Sequence, residues 1–156
     1  MNFSEDGSTF PATMFKLLSH AFILLLVSCS VSSTPMRTTA PANSQVVFID
    51  PSVNPLKGID PFNVKDAQQI GDFIVIDVSY SGGCEEHEFR LETRGKFTST
   101  YPPEVDITLK HNGNGDRCRG IMDKKLWFDL SPLKYDGTNR IILVLTNTDT
   151  TLDYNY

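Results

Sequence analysis

From Val64 to the C-terminus the sequence alternates apolar and polar side chains with a period of two, a pattern few architectures can accommodate. Successive residues of an extended strand point to opposite faces of a sheet, so this alternation describes ribbons with one face in a core and the other in water. In DFIVIDVSY, Asp72 to Tyr80, the even positions Ile74, Ile76, Val78 and Tyr80 are apolar, while Asp77 and Ser79 take the other face. In EHEFRLE, His87, Phe89 and Leu91 oppose Glu86, Glu88, Arg90 and Glu92. In EVDITLKH, Val105, Ile107, Leu109 and His111 oppose Glu104, Asp106, Thr108 and Lys110. Leu126, Phe128 and Leu130 follow the same rule, RIILVLT from Arg140 is continuously apolar like a central strand, and Leu152, Tyr154 and Tyr156 alternate again.

Glycine, proline and Asn-Gly signals at Ser81 to Gly83, Arg94 to Pro103, Asn112 to Asp116 and Ser131 to Thr138 separate these runs. Ile121 to Lys125 is the one stretch with the character of a helical turn. The expected fold is all-β: an immunoglobulin-like antiparallel β-sandwich of about seven strands over residues 64–156, with a small β-barrel as the alternative. Residues 45–63 form a turn-rich lead-in, in which QVVFID suggests a short strand and Pro51, Pro55, Gly58 and Pro61 impose turns. Ile-Asp-Pro occurs at 49–51 and again at 59–61, as expected of two similar turns.

Met14 to Cys29, MFKLLSHAFILLLVSC, has a short start with one lysine, an apolar run from Ala21 to Val27 and a small residue before cysteine, the layout of an export signal. Residues 1–28 are therefore expected to be a signal peptide. Glu5 and Asp6 put negative charge where such a signal is normally positive, which makes Met14 an alternative start. The apolar run falls short of the ~20 residues a spanning helix needs. Leu26-Val27-Ser28-Cys29 resembles the lipobox of bacterial lipoproteins, and that resemblance implies lipidation of Cys29 as the first mature residue. Residues 29–44 then comprise the lipidated cysteine and a Ser, Thr, Ala and Pro tether. No acidic run follows Cys29, which points to a periplasm-facing place on the outer membrane.

Removing Cys29 from the three cysteines leaves Cys84 and Cys118 in a disulfide-permissive compartment, where they are expected to pair. If successive strands run antiparallel, the loops after Tyr80 and His111 lie at one end of the domain. That topology gathers Cys84, His87, His111, Asp116 and Cys118 at one pole, with both histidines on the core parity of their strands. The expected structure there is a disulfide with a packed polar cluster. The alternative is a divalent metal site, either two cysteines with two histidines or His87 and His111 with Asp116 or Glu85.

Other chemistries find less footing. A catalytic Cys84 would need to stay reduced beside Cys118. A G-x-S-x-G elbow is missing from the sequence. The loop NGNGDRC spaces Asn112, Asn114 and Asp116 like calcium ligands, but Arg117 stands where an EF-hand loop needs glycine, so Asn-Gly turns explain it better. Glu86 and Glu88 lie on a solvent parity that suits surface rather than glycosidase carboxylates. The net charge of −5, with 14 basic residues scattered along the chain, provides no concentrated surface for nucleic acid.

With its lipobox, the pattern G-G-C-x-x-H-x-F at Gly82 to Phe89 and H-x-x-x-x-D-x-C at His111 to Cys118 resembles small uncharacterised bacterial lipoproteins. The resemblance implies an envelope address and coupled motifs, and it brings no activity with it. The expected function is that of a lipid-anchored envelope protein, more a binding or structural module than an enzyme, attached to the membrane and open to a protein partner.

Overall fold

In the computed structural model, residues 39–156 are described apart from residues 56, 147 and 149. The expected export signal, Cys29 and the first part of the tether lie outside the described residues. The described chain forms β1 (Gln45–Val46), β2 (Phe48–Ile49), β3 (Asn63–Ile70), β4 (Phe73–Gly82), β5 (Glu88–Thr93), β6 (Glu104–Asn112), β7 (Gly120–Asp129), β8 (Arg140–Leu145) and β9 (Thr150–Asn155), with a 3-10 turn at Ser131–Leu133. These strands make two sheets, ordered β1-β7-β4-β3 and β2-β5-β6-β8-β9. The sandwich expected from the alternation is present, and the two sheets are not closed into a barrel.

Two features depart from the expected picture. The sheets are mixed rather than antiparallel, because β1 pairs parallel with β7, β2 with β5 and β6 with β8. Alternation specifies which face a side chain takes but carries no information about strand direction. Ile121 to Lys125 belongs to β7 and forms no helical turn, pairing with Asp77 to Ser81 of β4. Its residues are exposed on both faces, so the backbone ladder holds this stretch without the burial pattern that would have marked it.

The alternating apolar residues meet between the sheets. Ile74, Ile76 and Val78 of β4 and Leu126 and Phe128 of β7 pack against Phe89, Leu91, Ile107, Leu109, Ile141 and Leu143 of the other sheet. Trp127 covers the outer face of its own sheet, opposite Val75 and edge-on to Phe73. The β3–β4 hairpin turns on Gly71 and Asp72, with Gly71 at φ 60°, a position that favours glycine at the start of a two-residue turn. The Asp72 carboxylate accepts hydrogen bonds from the Tyr154 hydroxyl at 2.8 Å and from Lys134 at 3.0 Å. It thereby supplies the buried tyrosine of β9 with a polar partner.

Both open sides of the sandwich are fastened. On one side the chain passes from β1 in the first sheet to β2 in the second, with Val47 between them buried in the core. On the other, the Gln69 side chain of β3 donates to the Asn155 carbonyl of β9 at 2.8 Å and accepts from the Asn155 N–H at 3.3 Å. The repeated Ile-Asp-Pro turns secure a strap across the second sheet. Asp50 N–H donates to the Thr93 carbonyl and Asp60 N–H to the His111 carbonyl, at opposite ends of the antiparallel β5–β6 pair.

Candidate functional site

The polar pole is built where β4 ends, β5 begins, β6 ends and β7 begins, since Gly82 pairs with Gly120 and Phe89 with His111. The expected Cys84–Cys118 disulfide is formed, joining residues 34 apart in sequence across a Cα separation of 5.9 Å. His87, His111 and Asp116 converge directly beneath it.

Asp116 organises the pole. Its Oδ2 accepts backbone N–H bonds from Gly83 at 2.8 Å, Cys84 at 3.0 Å and Glu85 at 3.1 Å, and its Oδ1 accepts one from Cys118 at 2.8 Å. Consecutive N–H groups aimed at one point form an anion nest. Here the anion is the protein's own carboxylate, which accounts for Gly82-Gly83 better than a turn alone. The Cys118 N–H, followed by those of Cys84 and Glu85, holds the Asp116 carboxyl well below the usual carboxylate range.

From Asp116 a line of hydrogen bonds runs inward. His87 Nε2 lies 3.2 Å from Asp116 Oδ2, and the two side chains are only 3% and 1% exposed. His87 Nδ1 faces His111 Nε2 at 2.8 Å, and His111 Nδ1 reaches the Asp60 carbonyl oxygen at 3.2 Å. The rings are enclosed by aromatic neighbours: Phe89 stacks on His111 at 4.3 Å and 9°, Tyr80 lies against His87 at 4.5 Å, and Phe62 meets His111 edge-on.

The acceptors at the two ends of this line fix its proton count. Asp116 and the Asp60 carbonyl can only accept, so His87 Nε2 and His111 Nδ1 each carry a proton. The two remaining nitrogens face each other at hydrogen-bonding distance and require one further proton between them. Three N–H groups on two rings exceed by one what two neutral imidazoles carry. With all three bonds made, the pair carries a single positive charge opposite the Asp116 carboxylate. A second proton is resisted: burial pushes His111 below its ordinary value of 6.5, the Asp60 carbonyl opposes this, and the charge on His87 adds a smaller push in the same direction as burial.

That arrangement sets an acid dependence. An unfolded chain binds a proton at His111 below about pH 6.5 that the folded pole excludes, so stability falls as pH drops through that value. Asp116 is also depressed on folding, and its contribution, present above its ordinary 3.8, is lost as pH falls further. Urea midpoints should therefore decrease as pH falls from 6.5 to about 5, and then more steeply below about 4. A midpoint unchanged across the upper interval would contradict the proton count.

The geometry leaves little purchase for a metal. Among the described residues, the sulfurs of Cys84 and Cys118 and the Asp116 carboxylate are close enough together to form a ligand set, but the sulfurs are bonded to each other and provide no thiolate. The two histidines aim their facing nitrogens at one another across 2.8 Å, a hydrogen-bond spacing rather than that of two ligands each about 2.0 Å from an ion. Glu85 contributes its backbone N–H to the nest. A cleft of about 400 Å³ under the strap, on the outer face of the second sheet, borders the pole at His111 and Asn112 and mixes Lys57, Arg90 and Lys110 with Glu88 and Glu92.

Asp60 is the member of the pole that sequence reasoning missed. Its carbonyl receives His111 Nδ1 and its carboxylate the Gly113 N–H at 2.7 Å. The signal available was the second Ile-Asp-Pro.

No family model matches the chain, and no curated protein sequence matches it. Solved structures do. A protein of unknown function from Bacteroides vulgatus superposes with a TM-score of 0.50 at 14% identity, covering 72% of this chain and 56% of that one. A NigD-like immunity protein from Bacteroides caccae gives a TM-score of 0.48 at 15% identity, covering 70% and 58%. The chain thus spans less than two thirds of the length of either structure, and at these identities the first likeness speaks to the fold alone.

Proposed function

We propose that this chain is a lipid-anchored protein of the bacterial cell envelope, attached through Cys29 to the outer membrane and facing the periplasm. Its disulfide-pinned sandwich serves as a non-enzymatic binding or structural module for another envelope protein. One observation carries the non-enzymatic reading: both nitrogens of His87 and His111 and both carboxylate oxygens of Asp116 have internal partners. Groups committed in this way keep no free base, nucleophile or ligand position for a substrate. A bonded Cys84–Cys118 pair suits an oxidising compartment, and the LVSC sequence supplies a means of attachment.

Labelled palmitate in producing cells provides the test, combined with membrane fractionation and metal analysis of the purified protein. The wild-type chain should carry label and sediment with outer membranes, Cys29→Ser should lose both properties, and neither should retain a stoichiometric metal. An unlabelled, soluble wild-type protein would refute the anchor. One equivalent of metal, lost in His87→Ala, would refute the structural role of the pole.

A further inference from the structure

Among the described residues, the first sheet has an uncovered edge. β7 is paired along its full length with β4, but on its other side β1 covers only Phe128 and Asp129. Backbone direction along β7 follows from two bonds. The Asp129 carbonyl accepts from Val47 on the β1 side, whereas Leu130 N–H donates to Asp72 on the β4 side. In-plane direction alternates along a strand, so Ile121, Asp123 and Lys125 present their N–H and C=O groups to the open edge. Ile121 is 75% exposed and Met122 39% exposed beside it.

We infer that this edge pairs antiparallel with the same edge of a second copy, about a two-fold axis through Lys124, making one continuous sheet across the dimer. Antiparallel pairing about such an axis places residues opposite one another on the same face, which restricts the register to shifts of two. Centring on Lys124 puts Asp123 opposite the second copy's Lys125 twice over, Ile121 opposite Trp127 and Met122 opposite Leu126. A shift of one step in either direction places Asp123 against itself or Lys125 against itself. Each of the three registers sets one charged residue against itself, Asp123, Lys124 or Lys125, but only the Lys124 centre adds two unlike pairs, so the sequence GIMDKKLW selects that register from its neighbours.

Lysines on an edge strand ordinarily discourage pairing. In this register Lys125 becomes a counter-charge for the second copy. Lys124, which meets itself on the axis, has its ammonium 3.3 Å from the His87 carbonyl oxygen. The intramolecular partners, Lys65 for Asp123 and Asp77 for Lys125, form exposed pairs that remain available to neutralise the seam. An isologous interface of this kind closes on itself and forms no filament. The inference rests on β7 and is independent of the lipid anchor.

Charge exchange provides the test, with sedimentation of the full chain in detergent as the readout. The wild-type chain should be a dimer, and Asp123→Lys or Lys125→Asp alone should weaken it by about tenfold or more. The double exchange should restore dimerisation to within about threefold of wild type. It also turns both intramolecular pairs repulsive, so restoration can arise only across the two-fold axis. A wild-type monomer at roughly 100 μM, or a double exchange as weak as the single ones, would overturn the inference.

Discussion

Alanine at Gly82 should lower the free energy of unfolding by about 3 kcal/mol, near the upper end for the addition of one methyl group. A Cβ at that position would stand 2.6 Å from His87 Nε2, 2.8 Å from His87 Cε1 and 2.9 Å from Asp116 Oδ2. Those atoms are not loose ends. The ring is held by His111 on its far side, and the carboxylate by four backbone N–H groups. To admit the methyl group, the His87–Asp116 contact must open and leave buried polar atoms unpaired. Gly113→Ala is the matched control, since its Cβ would lie 3.3 Å from Asp60 Oδ2 and His87 Cε1 and need only a small adjustment. Urea unfolding should find the Gly113 variant within about 1 kcal/mol of wild type. Equal effects at the two glycines would show that the pole yields where the structure makes it rigid.

Removing both sulfurs, as Cys84→Ala with Cys118→Ala, should cost about 3 to 4 kcal/mol by the loop-closure model for a loop of this length. The effect extends beyond chain entropy. The two cysteine N–H groups each donate to Asp116, so the crosslink also holds the donors of the nest around their anion. The losses from Gly82→Ala and from the double cysteine replacement should therefore sum to more than the loss measured in the combined variant, because both open the same pole. Strict additivity would separate the crosslink from the hydrogen-bonded cluster. A loss below about 1 kcal/mol for the cysteine pair would leave the cluster as the principal clasp.

The parts of this structure legible in the sequence are those in which burial leaves a period. Ile74, Ile76 and Val78, then Phe89 and Leu91, then Val105, Ile107 and Leu109 declare their sheet face because one side of each strand meets the core. The two histidines could be placed on the core face by the same parity. Their gathering with Cys84, Asp116 and Cys118 followed from the direction of β4, β5 and β6. The first half of β7 escaped notice because Ile121 and Met122 are exposed alongside Asp123, Lys124 and Lys125, and a ladder of backbone bonds leaves no trace in side-chain pattern. Parallel pairing of β1, β2 and β8 was hidden for the same reason, and β1 and β2 have two residues each. The filling of the Gly83 to Glu85 nest by Asp116 needed coordinates, since the carboxylate comes from more than thirty residues away.

The histidine rings offer the most direct test of the account, through long-range proton–nitrogen NMR spectra of the full chain with labelled imidazoles. At pH 7, His87 Nε2 and His111 Nδ1 should both be protonated, and one further proton should couple His87 Nδ1 to His111 Nε2. Addition of zinc should leave all four nitrogen resonances in place. Two rings that titrate independently as exposed imidazoles, or nitrogen signals displaced stoichiometrically by zinc, would contradict a pole closed upon itself.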